Sequence, residues 1–366
     1  MKVPDIHLIA GTRPNFMKVA PLFHVLRQET WCRPVLIHTG QHYDQDMSDA
    51  FLRDLELPAP DFHLGVGSGS HAQQTAGVMT AYEKICLERP PQWVVVVGDV
   101  NSTMACALVA AKLCIPLAHL EAGLRSGDRT MPEEINRIVT DALADVLWTP
   151  SPDADQNLRA EGIPEHRIER VGNIMIDALE LQRGPIERAR ARERFGLRRQ
   201  GYGVITLHRP TNVDNREMLR LLVEALVASA KKLPLVFAVH PRTRGRLESF
   251  GLSEILGRAS DIHLVGPMPY VEFLSLVREA RFVITDSGGI QEETTYLKVP
   301  CITVRDTTER PITVAQGTNR LVQPSGLGRA IESVLSGDWP SGSCPELWDG
   351  KTASRVVQSL KDHIDK

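Results

Sequence analysis

The sequence predicts an α/β protein whose two domains each carry an open parallel sheet covered by helices. Three observations predict it. Short apolar runs recur at 6–10, 34–39, 93–97, 117–120, 145–149, 168–171, 203–207, 235–239, 262–265, 282–285 and 301–304, and most are apolar throughout instead of alternating. Strands buried on both faces have that pattern. Amphipathic stretches lie between them, such as Ile135, Ile138, Val139, Ala142, Leu143 and Val146, or Leu219, Leu222, Val223, Leu226 and Val227. Strand–helix repetition builds parallel sheets with right-handed crossovers. The pattern pauses once, after Gly172-Asn173, where 181–200 is charged, Arg-rich and poor in large apolar residues.

The pause divides the chain into domains 1–171 and 172–349. A last helix, over 352–365 within the segment 350–366, is expected to return to the first domain. A length of 366 residues suits two domains. The balance of 42 basic against 45 acidic residues, a net of −3, gives no global pull toward nucleic acid or an anionic membrane. Six cysteines form no CxxC pair, which speaks against zinc-ribbon and thioredoxin-like readings. Cys106 and Cys114 sit in an Ala-rich helical stretch and read as small buried hydrophobes. The N-terminus shows no basic-then-apolar leader, and no apolar run approaches a membrane span. A reduced cytoplasmic enzyme is the simplest expectation.

Ligands of open parallel sheets bind beyond the carboxyl ends of the strands. Those ends are polar here. The first run leads to Gly11-Thr12-Arg13-Pro14, the second to Gly40-Gln41-His42, the third to Gly98-Asp99 and the fourth to Glu121. In the second half they lead to His208-Arg209, His240-Pro241-Arg242 and Asp286-Ser287-Gly288-Gly289. Together these would line a polar cleft between the domains. The Asp286–Gly289 loop precedes a helical stretch over 290–296. Its glycines allow close backbone approach, and amides at a helix N-terminus favour an anion. The plainer reading is a tight turn with Asp286 or Ser287 as helix cap. No GxGxxG and no GxxxxGK[ST] is present, which speaks against a dinucleotide held by the usual fingerprint and against a P-loop.

Asp99, Glu121 and Glu133 are the candidate carboxylates of the first domain. Crowded carboxylates separate each other's pKa values, so one serves as base and another as acid. Asp99 has a competing role as a helix cap beside Asn101-Ser102. Glu121 has no evident capping role. Glu133 fits a capping box with Thr130, with Arg137 one turn on for an ion pair, and ranks behind the other two on the residues alone. His208 and His240 suit phosphate contacts or proton donation to a leaving group. Arg13, beside Pro14, is the better anion ligand of the first loop; Lys18 has the competing role of a solvated charge. No clustered His/Cys set suggests a metal. The polar run 305–311 carries no individual assignments.

The segments GTRPNFMKVAPL (11–22), TGQHYDQDM (39–47), GDVNST (98–103), HLEAGLRSGD (119–128), PEEINR (132–137), DSGGIQEE (286–293) and RDTTERP (305–311) together resemble the non-hydrolysing UDP-N-acetylglucosamine 2-epimerases. The resemblance runs over roughly residues 5 to 325, with the motifs in order. It implies two Rossmann-like domains facing a cleft, the GT-B-type architecture. It implies interconversion of UDP-GlcNAc and UDP-ManNAc through loss of UDP to 2-acetamidoglucal and re-addition, with no redox cofactor or metal. It marks Asp99, Glu121 and Glu133 as the catalytic carboxylates, raising Glu133, and His208 as a phosphate-side partner or acid. Arg13, Arg137, His240, Ser287, Gly288 and Gly289 become diphosphate or nucleotide contacts. Phe273 takes the position near uracil and Glu293 the ribose hydroxyls; Lys18, Gln41 and His42 line the same cleft. A homodimer in the cytoplasm serving polysaccharide biosynthesis follows by the same resemblance.

Two departures stand out. His208-Arg209-Pro210-Thr211-Asn212 replaces the HRREN of many bacterial members, and the loop 128–133 is shorter and lacks a tryptophan found in some. In those members nearby residues bind a second, activating UDP-GlcNAc, so substrate activation is not expected here. The rival readings are a 2-epimerase of a modified nucleotide sugar and a hydrolysing epimerase. A GT-B glycosyltransferase would leave Asp99 and Glu121 without a clear purpose. A non-enzymatic nucleotide-sugar sensor would not need all three carboxylates.

Overall fold

The computed structural model describes residues 3–40 and 52–365. The chain forms two compact units. One holds the chain up to Leu181 together with the segment from Glu346 onward; the other is Gln182–Pro345. The division therefore falls ten residues beyond the pause at 172, because helix Ile174–Leu181 packs on helix Arg13–Leu26 of the first unit. Gly172 has another reason to be glycine. Its φ is +97°, and a Cβ there would stand 2.2 Å from the Leu347 carbonyl oxygen, where the returning chain crosses.

The first unit carries strands β1 (Asp5–Ala10), β2 (Arg33–His38), β3 (Phe62–His63), β4 (Trp93–Val97), β5 (Leu117–Leu120), β6 (Val146–Thr149) and β7 (Ile168–Arg170). They are parallel, in the order β3-β2-β1-β4-β5-β6-β7. The second carries β8 (Gly203–Thr206), β9 (Leu235–Ala238), β10 (Ile262–Val265), β11 (Phe282–Thr285), β12 (Cys301–Thr303) and β13 (Asn319–Leu321). They too are parallel, in the order β10-β9-β8-β11-β12-β13. All eleven apolar runs are strands. The two without a sequence signal, β3 and β13, are edge strands of two and three residues. They are too short and too polar to show periodicity. The central strands β4 and β5 are wholly buried, as their Val- and Leu-rich runs require.

Each sheet reverses its winding once, between β1 and β4 in the first unit and between β8 and β11 in the second. A doubly wound sheet opens a crevice at that point, at the carboxyl ends of the flanking strands.

Two local expectations need correction. Helical periodicity at 135–146 predicts an apolar buried face, but helix Pro132–Leu143 buries Glu134, Asn136, Arg137, Thr140 and Asp141. Ile135, Ile138 and Val139 are only half-buried, and Ala142 is exposed. Hydrogen-bonding and ionic partners inside the unit override the apolar stripe. Cys106 is fully buried, but Cys114 lies beyond the end of helix Asn101–Lys112, exposed and at φ +55°.

Candidate active site

In the first unit, β1 ends at Ala10 and helix Arg13–Leu26 begins at once, with Thr12 as N-cap. Asn15 accepts from the Thr12 amide at 3.0 Å and donates to the Val97 carbonyl at 2.8 Å. It thereby ties this helix to the end of β4. Lys18, one turn on, is not a solvated charge. It is buried and ion-paired to Glu121. Arg13 is exposed at the first helical position.

Glu121 follows β5 in the left-handed region, at φ +76°, with little exposure. A non-glycine residue there costs roughly 1–2 kcal/mol and persists only when the surroundings impose it. Here the Glu121 and Ala122 amides both donate to the Trp148 carbonyl at 3.1 Å, while Lys18 holds the carboxylate. Gly98, at φ +70°, lies against this pair: a Cβ there would stand 2.9 Å from Lys18 Nζ and 3.3 Å from Glu121 Oε2.

Asp99 does not cap the following helix, whose N-cap is Val100 without a side-chain bond. It is half-buried and accepts from Arg137 Nη1 at 2.5 Å. Asn136 donates to the Asp99 carbonyl at 2.8 Å. The capping box of Thr130 and Glu133 does not form: the N-cap is Met131, and Thr130 turns its hydroxyl to Asp128 at 2.6 Å. Glu133 is exposed in the first helical turn. Arg137 pairs with Glu134 instead, at 2.5 Å, as well as with Asp99.

Sequence reasoning passed over Glu134. It is buried and accepts from the Ser126 and Gly127 amides at 3.0 and 2.8 Å. Burial pushes its carboxyl upward, but those amides and Arg137 outweigh it and hold it below the ordinary value. The available signal was its i,i+3 spacing from Arg137. Gln41 and His42 lie outside the described residues.

In the second unit the two loops at the switch point are bound to one another. Asp286, fully buried, accepts from the His208 amide at 3.0 Å, the Arg209 amide at 2.9 Å and Asn212 Nδ2 at 3.0 Å. His208 Nδ1 lies 2.9 Å from Asp286 Oδ1. Burial raises the Asp286 carboxyl, but the His208 bond and these donors hold it below its ordinary value. Asp286 is therefore an organiser of the His208 loop and neither a helix cap nor a phosphate ligand. With Nδ1 donating to it, His208 offers Nε2 outward.

The His240 ring centroid lies 5.4 Å from that of His208. Its Nδ1 accepts from the Arg242 amide at 3.2 Å, which makes it a helix cap. Burial and then the nearby His208 lower its pKa. Arg242 is committed to Asp214.

Helix Gly288–Leu297 starts beyond Ser287, with no side-chain cap on its first amides. A Cβ on Gly288 would meet Glu309 Oε1 at 2.5 Å and Arg310 Nη1 at 2.9 Å, whereas one on Gly289 would meet nothing within 4 Å. A methyl group at the first would crowd the buried Glu309–Arg310 pair; the second leaves open space at the helix N-terminus, the kind of place an anion takes. Phe273 is half-buried on helix Tyr270–Glu279. Glu293 is buried, accepts from Tyr270 Oη at 2.8 Å, and is pushed up to about 8, chiefly by desolvation.

The run at 305–311 gains its roles here: Arg305 and Arg310 flank buried Glu309 at 2.8 Å each, and Arg310 reaches Glu292 at 2.9 Å. Among the described residues no group of three His, Cys, Asp or Glu side chains is placed to hold a metal ion, and no helix is long and apolar enough to cross a membrane.

Residues 24–361 match the family model of UDP-N-acetylglucosamine 2-epimerase. A UDP-N-acetylglucosamine 2-epimerase of Methanocaldococcus jannaschii is 42% identical over 365 residues, covering 97% of this chain and 98% of that protein. A UDP-2,3-diacetamido-2,3-dideoxy-D-glucuronate 2-epimerase of Pseudomonas aeruginosa is 39% identical over 318 residues, 86% of this chain and 87% of that one. Among solved structures, the M. jannaschii UDP-GlcNAc 2-epimerase in complex with UDP-GlcNAc and UDP superposes with a TM-score of 0.87 at 41% identity, covering 98% of this chain and 99% of that one. The fold is the Rossmann-like two-domain, GT-B type.

Proposed function

The chain belongs to the UDP-N-acetylglucosamine 2-epimerase family, an enzyme family of the isomerase class, and we propose that it interconverts UDP-GlcNAc and UDP-ManNAc by losing UDP and adding it back. The C2 proton of the sugar is not acidic in the ground state. Departure of a diphosphate from C1 builds positive charge there and makes that proton removable. A base takes the C2 proton as the C1–O bond breaks, leaving 2-acetamidoglucal and UDP. Re-addition of UDP at C1 and of a proton at the other face of C2 completes inversion.

The first unit supplies carboxylates for this chemistry and the second grips UDP. The observation that carries the reading is the buried Glu121, held at a left-handed φ on Lys18 at the end of β5, with Asp99 at the end of neighbouring β4 oriented by Arg137. Strained, charge-paired carboxylates at such a place suit proton transfer. Glu133, exposed on the next helix, is the third carboxylate of this set. Ser287, Gly288 and Gly289 take the diphosphate with His208 and His240; Phe273 and Glu293 take uracil and ribose. General base catalysis supplies about 10²–10⁴-fold, so the larger share comes from stabilising the departing diphosphate.

The test is incubation with UDP-GlcNAc in D₂O, followed by NMR. Deuterium at C2 together with UDP-ManNAc is the expected result; absence of exchange would sink the reading, and free ManNAc would indicate a hydrolysing enzyme. The P. aeruginosa relative favours one alternative, a modified UDP-sugar as substrate. Faster exchange with UDP-2,3-diacetamido-2,3-dideoxy-D-glucuronate than with UDP-GlcNAc would decide for it.

A further inference from the structure

We infer that His119 is a positioning residue, charged on both ring nitrogens, that holds the Asp99 and Glu121 loops in one fixed arrangement. The inference rests on the epimerase reading above. His119 lies on β5, two residues before Glu121, and is fully buried. Its Nε2 is 2.8 Å from the Gly98 carbonyl oxygen. A carbonyl only accepts, so Nε2 carries a proton. Its Nδ1 is 2.6 Å from Asp141 Oδ1.

The other oxygen of Asp141 accepts from the Gly123 amide at 3.1 Å and pairs with Arg125 at 2.8 Å. A carboxyl so engaged is ionised and accepts at both oxygens. Nδ1 therefore carries a proton as well, and the ring is an imidazolium. Arg125 passes on to exposed Glu161 at 2.7 Å, so the charges alternate in sign from the core outward.

The pair touches the three segments that bear the candidate carboxylates Asp99, Glu121 and Glu133. Gly98, held by Nε2, precedes Asp99 and has φ +70°. Gly123, held by Asp141, closes the turn of Glu121 at φ +80°; a Cβ there would stand 2.5 Å from the Ala154 carbonyl oxygen. Asp141 itself belongs to helix Pro132–Leu143, which carries Glu133 and Arg137. A neutral imidazole has one N–H and must release either Gly98 or Asp141. Release would free one carboxylate loop relative to the other. Misplacement of reacting groups by about 1 Å can cost on the order of 100-fold in rate.

His119→Gln keeps much of the size and an amide donor but removes the charge. Its kcat for UDP-GlcNAc epimerisation is expected to fall about 100-fold, with KM and the Kd for UDP within about 3-fold of wild type. A wild-type kcat would overturn the inference. So would parallel loss of UDP binding and thermal stability, which is what a merely structural residue predicts. A measurement on the unaltered protein stands beside it. With ¹⁵N-labelled histidine under the conditions of the activity assay, His119 is expected to show two protonated ring nitrogens; a neutral-tautomer spectrum would overturn the inference. Wild-type protein that exchanges no deuterium with UDP-GlcNAc would sink the epimerase reading alone, and the histidine spectrum would still decide the charge.

Discussion

Glu121 shows at the scale of one residue how the site is made. Its backbone conformation is costly, its side chain is buried, and Lys18 neutralises it. Asp99 differs: it stays half-exposed while Arg137 aims it. Asp99→Asn keeps the shape and a hydrogen-bond acceptor but loses the basic oxygen. Deuterium incorporation at C2 is expected to fall by about 10²–10⁴-fold, with UDP affinity little changed. Wild-type exchange in that variant would remove Asp99 from the mechanism.

A second residue sets a pH dependence away from the site. His7 is fully buried, 3.0 Å from Tyr82 Oη, and desolvation pushes its pKa from 6.5 down to about 4. The unfolded chain therefore takes up that proton first as pH falls. Stability should be lost progressively between pH 6.5 and about 4, up to about 3 kcal/mol. Denaturant unfolding of wild type and His7→Gln at pH 7 and about 4.5 checks this. The gap between the two should narrow at the lower pH; a constant gap would acquit His7.

Among the elements, the loop entering helix Gly288–Leu297 divides its glycines between two tasks. Gly288 is packed against Glu309 and Arg310, and Gly289 faces open space. Gly288→Ala should destabilise the protein by about 1–3 kcal/mol through overpacking. Gly289→Ala should leave the melting temperature nearly unchanged while weakening UDP binding, measured by calorimetry. The reverse pattern would mean that the two glycines exchange roles. The DSGG segment announced an anion loop, but not which glycine has room beside it, because that depends on Glu309 and Arg310, about twenty residues further on. Nor could helical periodicity find the polar buried face of Pro132–Leu143. Periodicity reports hydrophobic partners, and this face is buried by His119, Arg125 and Asp99.

For the whole molecule, the chain leaves its first unit at Leu181 and returns at Glu346. The return is secured by the Thr352 and Ala353 amides on Asp177, at 3.1 and 2.8 Å, and by Trp148 Nε1 on Ser359 at 2.8 Å. Gly172 lets the returning chain pass. Gly172→Ala places a methyl group 2.2 Å from the Leu347 oxygen at φ +97°, and should cost on the order of 3 kcal/mol, read as a lowered unfolding midpoint. A second whole-molecule prediction comes from the short loop at 128–133. The rate should be hyperbolic in UDP-GlcNAc concentration; a sigmoidal curve would establish substrate activation.

The sequence by itself determined the α/β class, eleven of the thirteen strands among the described residues, and the polar ends of those strands. These are local properties, written in apolar runs and in the polar residues that follow them. Only the tertiary structure decided which polar groups face one another. It turned Lys18 from a surface charge into the partner of Glu121, took Asp286 from the phosphate to the His208 loop, and separated exposed Glu133 from buried Glu134. The physical reason is distance along the chain. The separations of 103 residues between Lys18 and Glu121, and of 78 between His208 and Asp286, leave no periodic trace. A buried charge is placed by whichever partner the fold brings to it.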